Sequence, residues 1–311
     1  MNGNYLNLWA DAEVNAGGQL SLPAGSRMVL HDQRTMNVNS GGLLQITGTS
    51  GNPVTIESNL SSSYYYFNVN PGGTIAADYC SFKNMRPDGI NVFTGATVDP
   101  SHPFRGCTFQ DGIAGGTLLT INNNQTLTVR NAIFPTNTWG GASNVAKTIN
   151  QGLVYFVDYS GSFAGELYDD DVFFRLTWVP FMMANATATP TSICTGNSSQ
   201  LHANPSGGLP PWTYVWSPAG SLSAPFIENP VASPTVTTTY TVTVTDALGT
   251  TASSSVTLTV NSYVPVSVSI DVSQNPVPPA TYVTFTATPV NGGSSPTYKW
   301  KVNGADRKSV V

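Results

Sequence analysis

Charge is the scarcest property of this chain: Asp, Glu, Lys and Arg make up 9% of its 311 residues, where globular domains carry about 25%. The 12 basic side chains form no run and the net charge is −5, so the electrostatic footprint of a nucleic-acid binder is missing. Long apolar stretches are missing too. No segment reaches the roughly 18 to 20 consecutive apolar residues of a membrane helix, and no membrane span is expected. Met1-Asn2-Gly3-Asn4-Tyr5 does not open a basic and then apolar leader, so the expectation is that the native N-terminus lies upstream or that export uses another signal. Three cysteines, Cys80, Cys107 and Cys194, are too few for a disulfide scaffold and lack the paired spacing of a zinc site. Helix-period patterns and N-cap signals are nearly absent. His31, His102 and His202 stand far apart, and without a Ser-centred nucleophile elbow or a Gly-rich phosphate loop a Ser-His-Asp site has no support.

What is abundant is Gly (29), Pro (22), Thr, Ser and Asn, a balance that favours extracellular β architecture. From about residue 17 to 134 two motifs recur. A Gly-rich strand start reads Gly17-Gly18-Gln19-Leu20, Gly41-Gly42-Leu43-Leu44, Gly72-Gly73-Thr74-Ile75, Gly95-Ala96-Thr97-Val98 and Gly115-Gly116-Thr117-Leu118, at steps of 24, 31, 23 and 20 residues. A small residue two before Phe reads Cys80-Ser81-Phe82, Cys107-Thr108-Phe109 and Ala132-Ile133-Phe134, at steps of 27 and 25. Side chains two apart on a strand share a face, and rungs stack about 4.8 Å apart, so like residues should form inward ladders, Phe over Phe and Cys over Cys. Cys80 and Cys107 on adjacent rungs are close enough for a disulfide, and two buried thiols fit equally well. Val154–Val157 and Val172–Trp178 read as final strands, with Trp139 and Trp178 available to close the open end that a solenoid must cap.

This rung pattern resembles the right-handed parallel β-helix proteins of bacterial surfaces and of polysaccharide lyases and hydrolases, over about residues 1 to 181. At Ala184 the composition shifts to Thr, Pro, Ser and Val, and an internal repeat begins at an offset of 84: Ala203/Ala287, Pro205/Pro289, Gly208/Gly292, Thr213/Thr297, Tyr214/Tyr298 and Trp216/Trp300. Short strands in repeats of this size suggest β-sandwiches in which Trp216 and Trp300 anchor the cores. Thr239–Asp246, a turn at Ala247-Leu248-Gly249, and Ser255–Val260 read as a hairpin. The run Thr-Tyr-Thr-Val-Thr-Val-Thr-Asp before a Gly turn is similar to the PKD-like and Ig-like repeats of large secreted proteins in gliding, biofilm-forming Gram-negative bacteria. That resemblance covers about residues 185 to 305 and implies spacer or binding modules on a secreted or cell-surface protein exported by type IX secretion.

The expected fold is therefore all-β: a parallel β-helix over 1–183, an Ig-like or PKD-like sandwich over 184–261, and a truncated second module over 262–305. The offset places the close of that module near residue 344, and Asp306–Val311 matches one reading frame of a common sequencing adaptor, so 306–311 is expected to be a non-native tail.

Thirteen of the 17 acidic residues precede residue 182, so chemistry is sought on the β-helix. Asp169, Asp170 and Asp171 with Glu166 could offer oxygen ligands to Ca²⁺, yet they lack the spacing of a calcium loop, and a solvated loop is the favoured reading. Asp78, Arg105 and Arg130 each stand two residues before the small residue of the Phe motif and would form a column on successive rungs. A base beside cations suits a lyase acting on acidic sugars. An exposed Asp78–Arg105 ion pair is the structural alternative, and the favoured one. No catalytic, cofactor or metal residue is assigned. The expected function is non-catalytic adhesion or scaffolding with a glycan or cell-surface ligand; the alternative is a polysaccharide lyase or glycoside hydrolase with appended modules.

Overall fold

The computed structural model describes residues 4–135, 143–262 and 264–307. The chain separates into two compact units, one of residues 1–185 with 204–214 and 243–254, the other of 186–203, 215–242 and 255–311. Residues ~5–179 form an all-β parallel solenoid of about six turns.

The early turns of the solenoid contribute one strand to each of three faces, and in the later turns the first face is reduced to single parallel bridges at Ile133 and Ser160. The first face stacks Tyr5–Leu8, Arg27–Leu30, Val54–Ser58, Cys80–Lys83 and Thr108–Gln110. The second stacks Ala12–Val14, Thr35–Val38, Tyr65–Val69, Met85–Val92, Leu119–Ile121, Val145–Ala146 and Asp169–Asp170. The third is split: Gln19–Pro23, Leu43–Thr47, Thr74–Asp78 and Thr97–Arg105 form one sheet, and Thr126–Arg130, Leu153–Val157 and Leu176–Val179 another. All pairings are parallel, and the register is constant except within Met85–Val92 and Thr97–Arg105, where it shifts. Strict alternation makes this possible, since Met36, Val38, Phe67 and Val69 point inward while Asn37 and Asn68 between them point outward.

The motifs at Gly17, Gly41, Gly72 and Gly95 are the turns between the second and third faces, whereas Gly115-Gly116 lies between Thr108–Gln110 of the first face and Leu119–Ile121 of the second. In Asn39-Ser40-Gly41-Gly42 the Gly42 amide donates to the Asn39 carbonyl at 2.9 Å, and Gly41 sits at φ +75°, a type II geometry that L-residues resist. A Cβ on Gly42 would collide with the Val14 carbonyl of the rung below. Sequence reading found the glycines and passed over the Asn before each of the first three pairs. Those side chains form a ladder, Asn70 donating to Asn39 and Asn39 to Asn15, both at 2.7 Å.

Inside, aromatic rings continue from rung to rung. Phe82, Phe109 and Phe134 stack at 5.5 and 5.4 Å between centroids, and Phe156 stacks on Trp178 at 4.4 Å. Cys80 and Cys107 are bonded, with Cα atoms 4.5 Å apart. Trp178 ends this column of rings; Trp139 lies outside the described residues. The last strand is shorter than the sequence suggests. It spans Leu176–Val179, and Phe173 and Phe174 are exposed in the turn before it, because Asp171 accepts the Leu176 amide and Phe174 adopts φ +54°.

Beyond the solenoid the strands form small antiparallel sheets, apart from one parallel pair. Thr187–Thr189, Ser199–His202 and Val231–Ala232 make one sheet; Ser192–Cys194, Thr251–Asn261, Thr238–Thr245 and Thr213–Ser217 make another, in which Ser192–Cys194 runs parallel to Thr259–Asn261. The hairpin expected around Ala247-Leu248-Gly249 is present, and the Asp246 carboxylate holds its turn by accepting the Leu248 and Thr250 amides at 2.9 and 2.7 Å. Trp216 is buried with Tyr240, Val242 and Leu258. Trp300 is not the core anchor expected. Ser267–Val272 and Phe285–Val290 pair only with each other, and one two-stranded sheet cannot enclose an indole, so Trp300 is partly exposed and Tyr298 exposed.

Candidate functional site

The column Asp78, Arg105, Arg130 lies where the third face turns back to the first. Asp78 pairs in register with Arg105, and the amide after Arg105, on Gly106, donates to the Arg130 carbonyl at 2.8 Å. The residue that follows each of the three turns the corner with positive φ: Tyr79 at +46°, Gly106 at +65° and Asn131 at +57°. The strand Thr97–Arg105 carries the excursion Pro100-Ser101-His102-Pro103, which breaks its register with the rung below between Val98 and Pro103. That excursion is also where the third face splits, and the Gln125 side chain substitutes for a strand edge there by bonding both the amide and the carbonyl of Val98.

The excursion brings in a residue that the sequence did not associate with the column. His102 Nδ1 lies 2.7 Å and Arg105 Nη2 2.5 Å from Asp78 Oδ2. Asp78 is 3% exposed and its Oδ1 has no hydrogen-bond partner among the described residues. The exposed ion pair expected here is therefore a buried carboxylate shared by two cation-forming side chains. The corner holds Asp78 in the wall, because the αL residue after it turns the chain before its side chain can reach solvent. Arg105 also lies over the Tyr79 ring at 5.7 Å. Arg130 turns away to Asp158 at 4.0 Å and to Thr250 Oγ1 at 3.0 Å. With Asp78 ionised, His102 donates through Nδ1 and leaves Nε2 as an acceptor. A groove of about 250 Å³ lined by Pro100, Ser101, Pro103, Arg105, Thr128 and Arg130 runs beside this group. Chemically, this is an oriented imidazole with a guanidinium at its side.

The acidic group Glu166, Asp169, Asp170 and Asp171 lies elsewhere, on the last turn of the second face. Glu166 and Asp170 are exposed, while Asp169 and Asp171 are half-buried. Asp169 pairs with Val145 and accepts from Trp178 Nε1 at 2.6 Å, Glu166 accepts the Trp178 amide at 3.3 Å, and Asp171 accepts the Leu176 amide at 2.5 Å. These carboxylates satisfy the groups that end the solenoid. Among the described residues no three His, Cys, Asp or Glu side chains gather as a metal site requires. Tyr65 and Tyr66, on the second face, are likewise apart from the column. Tyr65 is buried at the start of its strand, and Tyr66 lies under the Arg86 guanidinium at 4.9 Å.

Near the end of the solenoid Lys147 is wholly buried, its Nζ donating to the Ile121 and Asn123 carbonyls at 3.1 and 2.9 Å. Burial pulls its pKa down to about 8, against an opposing pull from Asp171. Burial also raises Asp169 to about 6, against the Trp178 hydrogen bond and with help from Glu166, Asp171 and Asp170. The two shifts have opposite consequences. The folded state holds the Asp169 proton more tightly than the unfolded chain, so this contribution is complete below about pH 4 and lost as pH rises through about 6. Lys147 binds its proton less tightly when folded, so stability is gained as pH rises from about 8 to about 10.4. Urea midpoints should therefore pass through a minimum between about pH 6 and 8. D169N should flatten the acid limb and K147M the alkaline limb; a variant that leaves its limb unchanged would refute that assignment.

No known family profile matches this chain, and neither does any curated protein.

Proposed function

We propose that this chain is a non-catalytic adhesion or scaffold protein, secreted or displayed on a bacterial cell surface, in which a right-handed β-helix carries Ig-like or PKD-like modules and binds a glycan or another cell-surface ligand. The observation that carries this reading is the dispersal of the carboxylates. Sugar hydrolysis needs two carboxyl groups about 5 to 9.5 Å apart across one bond. Here Asp78 is buried under His102 and Arg105, while Glu166, Asp169 and Asp171 are spent on Trp178 and Leu176 at the end of the stack. The outward faces instead carry repeated uncharged side chains, such as the Asn15–Asn39–Asn70 ladder and the Asn37–Asn68 pair. Surfaces of this kind suit broad, weakly polar contact.

One observation favours a second reading, a polysaccharide lyase. The Asp78–His102 pair with Arg105 beside a groove has the parts of a base and a charge neutraliser for an acidic sugar. A single experiment separates the two. The full chain is incubated with acidic and neutral polysaccharides, and both retention and the ultraviolet absorbance of an unsaturated product are followed. Retention without product is expected. Product formation abolished by both Arg105→Ala and His102→Ala would establish the lyase and overturn the adhesive reading.

A further inference from the structure

A different concavity lies where the first face turns into the second. It encloses about 480 Å³ and is lined by Ser61, Tyr64, Lys83, Asn84, Asp111 and Gly112. That volume lies within the range of about 300 to 1,000 Å³ usual for small-ligand sites. The backbone makes the hollow: the strands Cys80–Lys83 and Thr108–Gln110 pair with Lys83 opposite Gln110, so the next residues, Asn84 and Asp111, turn the corner on consecutive rungs with φ +60° and +57°.

The geometry points to a binding site for an uncharged sugar residue of a longer glycan in this cleft. The inference rests on the adhesive reading above and names its ligand class. Four features converge. Tyr64 offers a ring to the apolar C–H face of a pyranose, while its amide and carbonyl are tied to Asp32 Oδ1 and Gln33 N, which fixes its backbone. Asn84, Ser61, Lys83 and Asp111 supply amide, hydroxyl, ammonium and carboxylate groups, the mixture that pairs with sugar hydroxyls. Lys83 and Asp111 line the same cleft without an ion pair within 4.0 Å to each other or to any other described residue, so both retain hydrogen-bonding capacity, and their opposite charges offset one another for a ligand with none. The strip also continues. Tyr65 N donates to the Asn84 carbonyl, and on the second face Tyr66 and Arg86 come next, followed by Asn68 beside Asn91 in register. A chain held at Tyr64 can thus pass the Tyr66–Arg86 pair and reach the amides of Asn68 and Asn91 on adjacent rungs.

The test is affinity gel electrophoresis of the full chain in gels containing a soluble neutral β-glucan, a neutral α-glucan or polygalacturonate, with thermal midpoints confirming that each variant is folded. Retardation is expected in at least one neutral gel. Tyr64→Ala should weaken it by about tenfold or more through the lost ring contact, Lys83→Gln and Asp111→Asn each by a few-fold, and Phe174→Ala, an exposed ring on the last turn, not at all. Retardation that survives Tyr64→Ala, or that occurs with polygalacturonate alone, overturns the cleft while leaving surface adhesion standing. No retardation in any gel overturns the neutral-glycan site.

Discussion

Phe109→Ala should cost about 3 to 5 kcal/mol of folding stability. Phe109 is fully buried, stacks on Phe82 at 5.5 Å and Phe134 at 5.4 Å, and meets Phe104 edge-on at 5.9 Å. Removing the ring loses its transfer energy and three aromatic contacts. It also leaves a void that two rigid sheets cannot close, because each rung is fixed by hydrogen bonds to the rungs on either side. Phe174→Ala is the control: that ring is 87% exposed and its loss should change stability by no more than about 0.5 kcal/mol. Urea denaturation followed by far-ultraviolet circular dichroism measures both. A Phe109→Ala penalty below about 1 kcal/mol would mean that the ring column is not a packed core.

Removing the Cys80–Cys107 bond should be nearly as costly. The bond joins adjacent rungs and closes a loop of sequence separation 27, for which the chain-entropy account gives about 3.5 kcal/mol. For a unit of this size that corresponds to a fall in thermal midpoint of roughly 7 to 14 °C. The double variant C80A/C107A avoids leaving an unpaired thiol in the core. Thiol titration supplies an independent readout, since Cys194 is free and exposed: one reactive group is expected in the native protein and three after reduction and unfolding. Three reactive thiols in the unreduced, unfolded protein, with no change of midpoint in C80A/C107A, would rule out the bond.

The solenoid was legible because its constraint is local and repeated. The first four turns place a glycine where the second face passes to the third, and their inward strand positions take apolar side chains, so Gly41, Gly72, Phe82 and Phe109 announce themselves. His102 did not, and the reason is geometric. It sits in an excursion flanked by Pro100 and Pro103 that shifts the pairing of its strand, so counting alternate residues from Thr97 gives no hint that its ring meets Asp78. Burial of Asp78 was missed for a related reason, since charged residues are rarely placed in a wall and only the corner at Tyr79 puts it there. The cleft at Tyr64 was invisible because Asn84 and Asp111, each two residues past the Phe of its rung, read as ordinary strand ends, and only their positive φ turns them into a hollow. Trp300 shows the limit of the internal repeat: its counterpart Trp216 is buried alongside the later hairpin residues Tyr240, Val242 and Leu258, and identity at one strand does not bring the covering strands with it.

The parallel pairing of Ser192–Cys194 with Thr259–Asn261 has a mechanical consequence. A pull on the chain reaches the first strand from its beginning and the second from its end. Because the two run in the same direction, that pull slides one strand past the other and loads their hydrogen bonds together. Rungs of the solenoid stretched apart along their stacking direction would instead yield one row at a time. A tether anchored at one end and gripping a ligand at the other would thus have, in this pair of strands, a clasp that resists extension until several bonds fail at once.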